Sequence, residues 1–159
     1  MKRLLAMAAV AAAGLVAASP AAAAPDTPVG TLAIQDVGSS PVLSWSWGLT
    51  VPGTTTGGGG GGAGKVQLED VTLTKRINPL STELVRTAAT GAHYPEVVVS
   101  VPVGGPLSPF AIEYKLKNVT VSSVDQRGAA AESVETVKLA YGALELTIGT
   151  SKFGWANPG

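Results

Sequence analysis

The sequence predicts a mainly-β protein, a small barrel of two packed antiparallel sheets with one α-helix. Three observations point there. Apolar residues alternate with polar ones through residues 43–51 and over much of the second half of the chain, the period-2 signature of half-buried strands. Only residues 79–90 show helical spacing instead. Within three long strand-like runs the apolar parity flips, which needs an extra residue, a bulge or a sharp bend. Strands that turn a corner and serve two sheets favour a barrel or an orthogonal sandwich over a flat sheet.

The chain has 159 residues, enough for one domain with a real core. Its start is not expected in that core. Lys2 and Arg3 precede an Ala-rich apolar run, residues 4–16, and Ser19-Pro20 leads into an Ala-x-Ala type ending. This reads as a secretory signal peptide, residues 1–23, cut after Ala22 or Ala23. A retained membrane anchor needs about 20 apolar residues, and Pro20 interrupts too early. The expected product is secreted, free of the membrane, with a flexible lead-in at residues 24–31 and a single domain at 32–159. With no cysteine in the chain, its stability must come from burial or from assembly with other chains. The formal charge is zero, and loss of Lys2 and Arg3 leaves the mature form mildly acidic, so nothing draws it to nucleic acid.

Residues 32–34 read as a short first strand and residues 38–41 as a turn. Leu43, Trp45, Trp47, Leu49 and Val51 then alternate with Ser44, Ser46, Gly48 and Thr50. Two of the three Trp residues lie on that one face, and Leu43, Trp45, Trp47 and Leu49 form a candidate core or interface strand, since paired Trp beside Leu more often packs than binds. Residues 53–64 are glycine-rich, with an unbroken glycine run at 57–62. Composition alone suggests a linker, but neither side is large enough to fold alone. A mobile loop within one domain is the better expectation. A second strand follows at residues 66–74.

The helix has local punctuation at both ends. Asn78 can cap it, Pro79 suits its first position, and Gly91 suits the left-handed residue beyond it. Leu80, Leu84, Val85 and Ala88 fall on one face, while Glu83 and Arg86 look outward. Val97, Val99, Val101 and Val103 alternate next, with Pro102 arguing for an edge at that end. Phe110, Ile112, Tyr114 and Leu116 follow, then Val137, Leu139 and Tyr141. The flips are specific. Val66 and Leu68 are even but Val71 and Leu73 odd; Leu116 is even but Val119 and Val121 odd. Tyr141 is odd but Leu144, Leu146 and Ile148 are even, with Gly142 at the change.

Catalytic signals are lacking. His93 is the only histidine; just past a helix end it interacts with the terminus more readily than with a metal, for which no Cys or His partner exists. No G-x-S-x-G elbow occurs. Glu69 and Asp70 are adjacent in a strand and point to opposite faces. Gly64-Lys65 precedes Val66 and a strand, which rules out a phosphate-binding loop. Asn118-Val-Thr120 fits a glycosylation acceptor, and chance is the better account. The protein is expected to be no enzyme and to need no metal or cofactor.

The order of these pieces resembles the Hcp family, the tube proteins of type VI secretion systems. Leu43-Ser-Trp-Ser-Trp-Gly48 resembles the family's S-[FW]-S-W-G strand. A Gly-rich loop leads into Lys65-Val-Gln-Leu-Glu-Asp-Val-Thr-Leu-Thr-Lys75, similar to its next strand. The helix with Gly91-Ala92-His93, then Leu116-Lys-Asn-Val-Thr-Val-Ser-Ser123, and finally Glu132-Ser133-Val134 with Val137-Lys-Leu-Ala-Tyr141 resemble later segments. The likeness spans residues 43–148. It implies a two-sheet barrel with one helix, a homohexameric ring that can stack into a tube, export by a contractile machine, and effector cargo carried in the ring. It also implies ring-stacking contacts for the loop after the Trp strand, here Pro52, Gly53, Thr54, Gly58, Gly60, Gly64 and Lys65. Two departures stand out. The family's early G-E-S motif is replaced by Gln35-Asp36-Val37-Gly38, and its tube proteins ordinarily carry no cleavable signal peptide. The alternative from another class is a monomeric secreted β-barrel that captures glycan or protein ligands, and light scattering after size exclusion separates the two.

Overall fold

The computed structural model describes residues 27–51, 65–104, 110–129 and 132–156. Residues 1–23, where a signal peptide is expected, and the whole glycine-rich stretch at 53–64 lie outside them. Among the described residues the order is β1 (Gly30–Ile34), β2 (Gly38–Val42), β3 (Ser44–Ser46), β4 (Leu49–Thr50), β5 (Gln67–Leu68), β6 (Val71–Arg76), α1 (Pro79–Thr90), β7 (His93–Val103), β8 (Phe110–Ala129), β9 (Glu132–Ile148) and β10 (Ser151–Ala156). One antiparallel sheet of eight strands runs β2-β1-β7-β8-β9-β6-β3, with β10 added on β9; β4 and β5 form a separate ribbon.

The expected mainly-β, barrel-like architecture with one helix is what forms, and its two halves are a single curled sheet. β8 and β9, of 20 and 17 residues, run through both halves. Residues 134–139 of β9 pair with β6, whereas residues 143–148 pair with β10. The two ends of the sheet order, β2 and β3, are separated in sequence by Leu43 alone. Val42 pairs with Gly30, and the Leu43 N–H donates to the Thr74 carbonyl at 2.8 Å. One buried residue therefore joins the ends of the curl.

The parity flips have physical causes. Between Leu68 and Val71 the expected single strand breaks, and Glu69 and Asp70 separate β5 from β6. The other two flips coincide. Pro95, Asn118 and Gly142 stand at matching positions of β7, β8 and β9, and the pairing skips all three without changing register on either side. Proline offers no ladder N–H, and Asn118 takes a left-handed φ of 52°, which Asn tolerates better than most residues. The Asn118 side chain lies 3.3 Å from where a Gly142 Cβ would stand. The sheet bends along this line, and the inward faces of β8 and β9 change together. The register shift in their ladder lies elsewhere, between Val121 and Ser123, and brings Val124 against the core.

Fully buried Leu32, Val71, Leu73, Val97, Leu116 and Leu139 fill the interior, a contiguous apolar cluster of the kind that dominates stability. Gly30 comes so close to β7 that a Cβ would lie 2.5 Å from the Ser100 carbonyl oxygen. Gly30→Ala is therefore expected to cost about 1–3 kcal/mol, seen as an earlier urea midpoint at unchanged slope. At the far end of β7, Pro102 pairs with Ala111 of β8 but lies beyond the last β1 pairing, the edge position its missing N–H requires.

The helix begins and ends where its punctuation dictates. The Asn78 Oδ1 accepts from Leu80 N–H at 3.1 Å, and Ser81 Oγ accepts from Asn78 N–H at 3.0 Å, a reciprocal cap. Gly91, at φ 68°, donates its N–H to the Thr87 carbonyl. The buried stripe is rotated from the expected one: Leu84 is buried and Leu80 and Ala88 pack on the core, but Val85 is exposed and Ser81 and Thr87 point inward. Both have polar partners there. Thr87 donates to the Tyr94 hydroxyl at 2.7 Å, and Ser81 donates to Glu135 Oε1 at 2.8 Å.

Glu135 belongs to a buried ion pair that spacing did not announce. Lys75 and Glu135 are cross-strand partners of β6 and β9, 2.7 Å apart with both side chains 0% exposed. Lys75 Nζ also donates to Asn78 Oδ1 and Ser81 Oγ, and Gln126 Nε2 donates to Glu135 Oε2 at 2.9 Å. Asn78 Nδ2 reaches Ser40 of β2. Four strands and the helix cap therefore meet at one polar cluster.

Candidate functional site

The Trp strand is where the chain leaves the barrel. Leu43 is buried, and Trp45 and Trp47 are half-buried against the core. Their rings tilt onto Tyr114, with centroids 5.2 and 5.7 Å away. Burial raises the Tyr114 pKa, which keeps this aromatic contact neutral. Trp47 Nε1 donates to the Tyr141 hydroxyl at 2.7 Å, and that hydroxyl donates to the Glu69 carbonyl at 3.0 Å. Burial raises the Tyr141 pKa; the Trp47 bond opposes this, while Asp70 and Glu69 reinforce it.

Past Trp47 the expected nine-residue strand is interrupted. Glu69 N–H donates to the Gly48 carbonyl at 3.0 Å, and the chain continues as the β4–β5 ribbon, Leu49 opposite Leu68 and Thr50 opposite Gln67. Leu49 therefore parts company with Leu43: it is 48% exposed, and Val51 and Val66 are exposed beside it. The ribbon carries these apolar side chains to the base of the glycine-rich loop. Pro52, Gly53, Thr54, Gly58, Gly60 and Gly64 lie outside the described residues, and Lys65 is exposed at the loop's end.

A second apolar set stands at the mouth of the barrel. Phe153 is in register with Leu146 and Tyr114, and Ile148 with Ile112 and Val101, while Phe110 pairs with Val103. Side chains opposite one another share a face, so all three belong to the barrel-facing side, yet Phe110, Ile148 and Phe153 remain exposed. Sequence reading missed β10, which supplies Phe153 and Trp155. The available signal was Gly149, at φ 59°, between Ile148 and the alternation Phe153-Gly154-Trp155. Among the described residues no group of three or more His, Asp or Glu could hold a metal, and no helix is long and apolar enough to cross a membrane.

A curled antiparallel barrel, capped by one helix and extended by an apolar-stemmed ribbon, defines the class as a small structural β-barrel. The chain belongs to the Hcp family: residues 34–148 match the family described as type VI secretion system effector, Hcp. It is a tube protein of type VI secretion, and like its family it is structural and non-enzymatic. Hcp proteins form hexameric rings and are secreted through the type VI system. Comparison with curated proteins gives no match.

Among solved structures, Hcp1 from Salmonella typhimurium is 22% identical, with a TM-score of 0.66 over 82% of this chain and 95% of that one. Hcp1 from the E. coli EAEC 042 pathovar gives 21% and 0.67, covering 82% and 98%. The secreted protein Hcp3 from Pseudomonas aeruginosa gives 10% and 0.62, covering 81% and 97%. At such identities the likeness is one of fold.

Proposed function

We propose that this chain is exported on a cleavable signal, residues 1–23, and that the mature domain, which takes in β1 from Gly30 and so starts two residues before the expected 32–159, assembles with itself into hexameric rings that stack weakly. The supporting observation is the presence of exposed apolar side chains on different elements, Leu49, Val51 and Val66 on the ribbon and Phe110, Ile148 and Phe153 at the mouth. Two different patches on one subunit suit head-to-tail contact, which closes into a ring when the rotation allows. Weak stacking follows from the loop between Val51 and Lys65. Ordering a glycine run costs about 1–2 kcal/mol of backbone entropy per residue, and residues 57–62 are all glycine. Effector cargo inside the ring is carried over from the family.

Native mass spectrometry of the secreted protein at micromolar concentration tests the assembly. A six-subunit species is expected; a monomer overturns the ring. The intact mass of the same sample tests export separately, since it lacks residues 1–22 or 1–23 if the signal is cut and retains them if it is not. Replacing residues 57–62 by Ala-Ser repeats is expected to lengthen the stacks seen by electron microscopy.

A further inference from the structure

The third tryptophan of the chain lies apart from the other two. Trp155, on the barrel-facing side of β10, is half-buried beside a cavity of about 250 Å³ at the root of the β4–β5 ribbon. Tyr141 and Leu68 line the same cavity, and its charged groups are Glu69, Asp70 and Lys65. Tyr141 is held in place by Trp47 and the Glu69 carbonyl. Asp70 accepts from Ser122 Oγ at 2.5 Å. Among the described residues, the Glu69 carboxylate and the Lys65 ammonium have no hydrogen-bond partner, so both are available to a ligand.

The chemistry narrows the ligand by elimination. An organic cation would suit the aromatic rings but would meet Lys65. An anion would suit Lys65 but would meet two carboxylates. An ionised carboxylate only accepts hydrogen bonds and an ammonium only donates them. A neutral ligand that uses both must carry groups able to donate and to accept, and it needs an apolar face for the tryptophan. A pyranose ring has these properties: hydroxyls around its edge and a face of C–H groups. The volume of about 250 Å³ lies just below the usual range for drug-sized ligands and suits one sugar unit.

We propose that this cavity binds one neutral pyranose unit of a glycan, its C–H face against Trp155, its hydroxyls donating to Glu69 and accepting from Lys65. The proposal does not rest on ring assembly, and Lys65 and Val66, which line the cavity, border the ribbon surface proposed for it. Trp45 and Trp47 do not line the cavity; their rings are engaged with Tyr114.

The test is a titration of the full chain with glucose, galactose, mannose and N-acetylglucosamine, read by tryptophan fluorescence and by saturation-transfer NMR. At least one sugar is expected to bind with a dissociation constant on the order of 1 mM. Trp155→Ala is expected to weaken it about tenfold and Trp155→Phe to leave most of it, since stacking on an aromatic face is the main attraction. Glu69→Gln is expected to weaken it several-fold. Glu69 is exposed, so that variant decides the matter if Trp155→Ala fails to fold. Arginine methyl ester and acetate serve as the charged probes. Binding of either in place of every sugar overturns the proposal, as does sugar binding that Glu69→Gln leaves unchanged, or no binding at all.

Discussion

Glu135→Ala is expected to destabilise the barrel by about 3–5 kcal/mol, the usual cost of removing one partner of a buried ion pair. The Lys75 ammonium would be left without its counter-charge where no water reaches it, both side chains being 0% exposed. Ser81 would lose its acceptor and Gln126 its anchor, so the helix cap and β8 are loosened with β6 and β9. Replacing both partners by apolar residues, Lys75→Met with Glu135→Leu, is expected to be near neutral, because the desolvation cost leaves with the charges. Urea unfolding of the two variants separates the cost of an orphaned charge from the net worth of the pair.

The same pair sets an acid limit. Burial of Glu135 favours the protonated form, but the hydrogen bonds from Lys75, Gln126 and Ser81, with the attraction of the Lys75 charge, outweigh it and hold the pKa below the ordinary 4.5. A depressed carboxyl pKa means that the folded state binds this proton less readily than the unfolded chain. Its contribution is therefore complete above about pH 4.5 and is lost as pH falls through the folded value. Denaturation midpoints followed from pH 7 downward should decline in that acid window, and Glu135→Gln should flatten this part of the decline.

Leu139→Ala is expected to cost about 2–5 kcal/mol, the range for truncating a fully buried leucine. Leu139 pairs with Val71 on one side and Val121 on the other and is wholly buried. A strand hydrogen-bonded along both edges cannot slide to fill the gap, so the upper half of the range applies. The chemical-denaturation midpoint should fall at unchanged slope. A loss below about 1 kcal/mol would mean that the two halves of the sheet close over the cavity.

The helix was legible to the residue, because a cap and a left-handed terminus are local chemistry: Asn78, Pro79 and Gly91 do their work within a few positions. The long strands were legible from alternation. The break after Trp47 was not, because Leu49 and Val51 keep the parity of Trp45 even after the chain leaves the barrel. Lys75 shares parity with Val71 and Leu73, and Glu135 with Val137 and Leu139. Two inward charges of opposite sign were therefore visible in the sequence, but their meeting depends on β6 lying beside β9, a non-local fact. Phe153 and Trp155 offered too short an alternation to mark β10, and the cavity that Trp155 borders needs the ribbon, β9 and β10 together.

β8 and β9 are consecutive in sequence and pair along most of their length, so their contacts close short loops at small entropic cost. The pairings that complete the curl are of another kind. Leu32 finds Val99 and Val71 finds Leu139 across long stretches of chain, and such closures slow folding. A polypeptide delivered from its N-terminus presents β1 and β2 well before β7 exists to receive them. During that interval the earliest strands have unpaired backbone, the condition in which nascent β proteins are most prone to stray association.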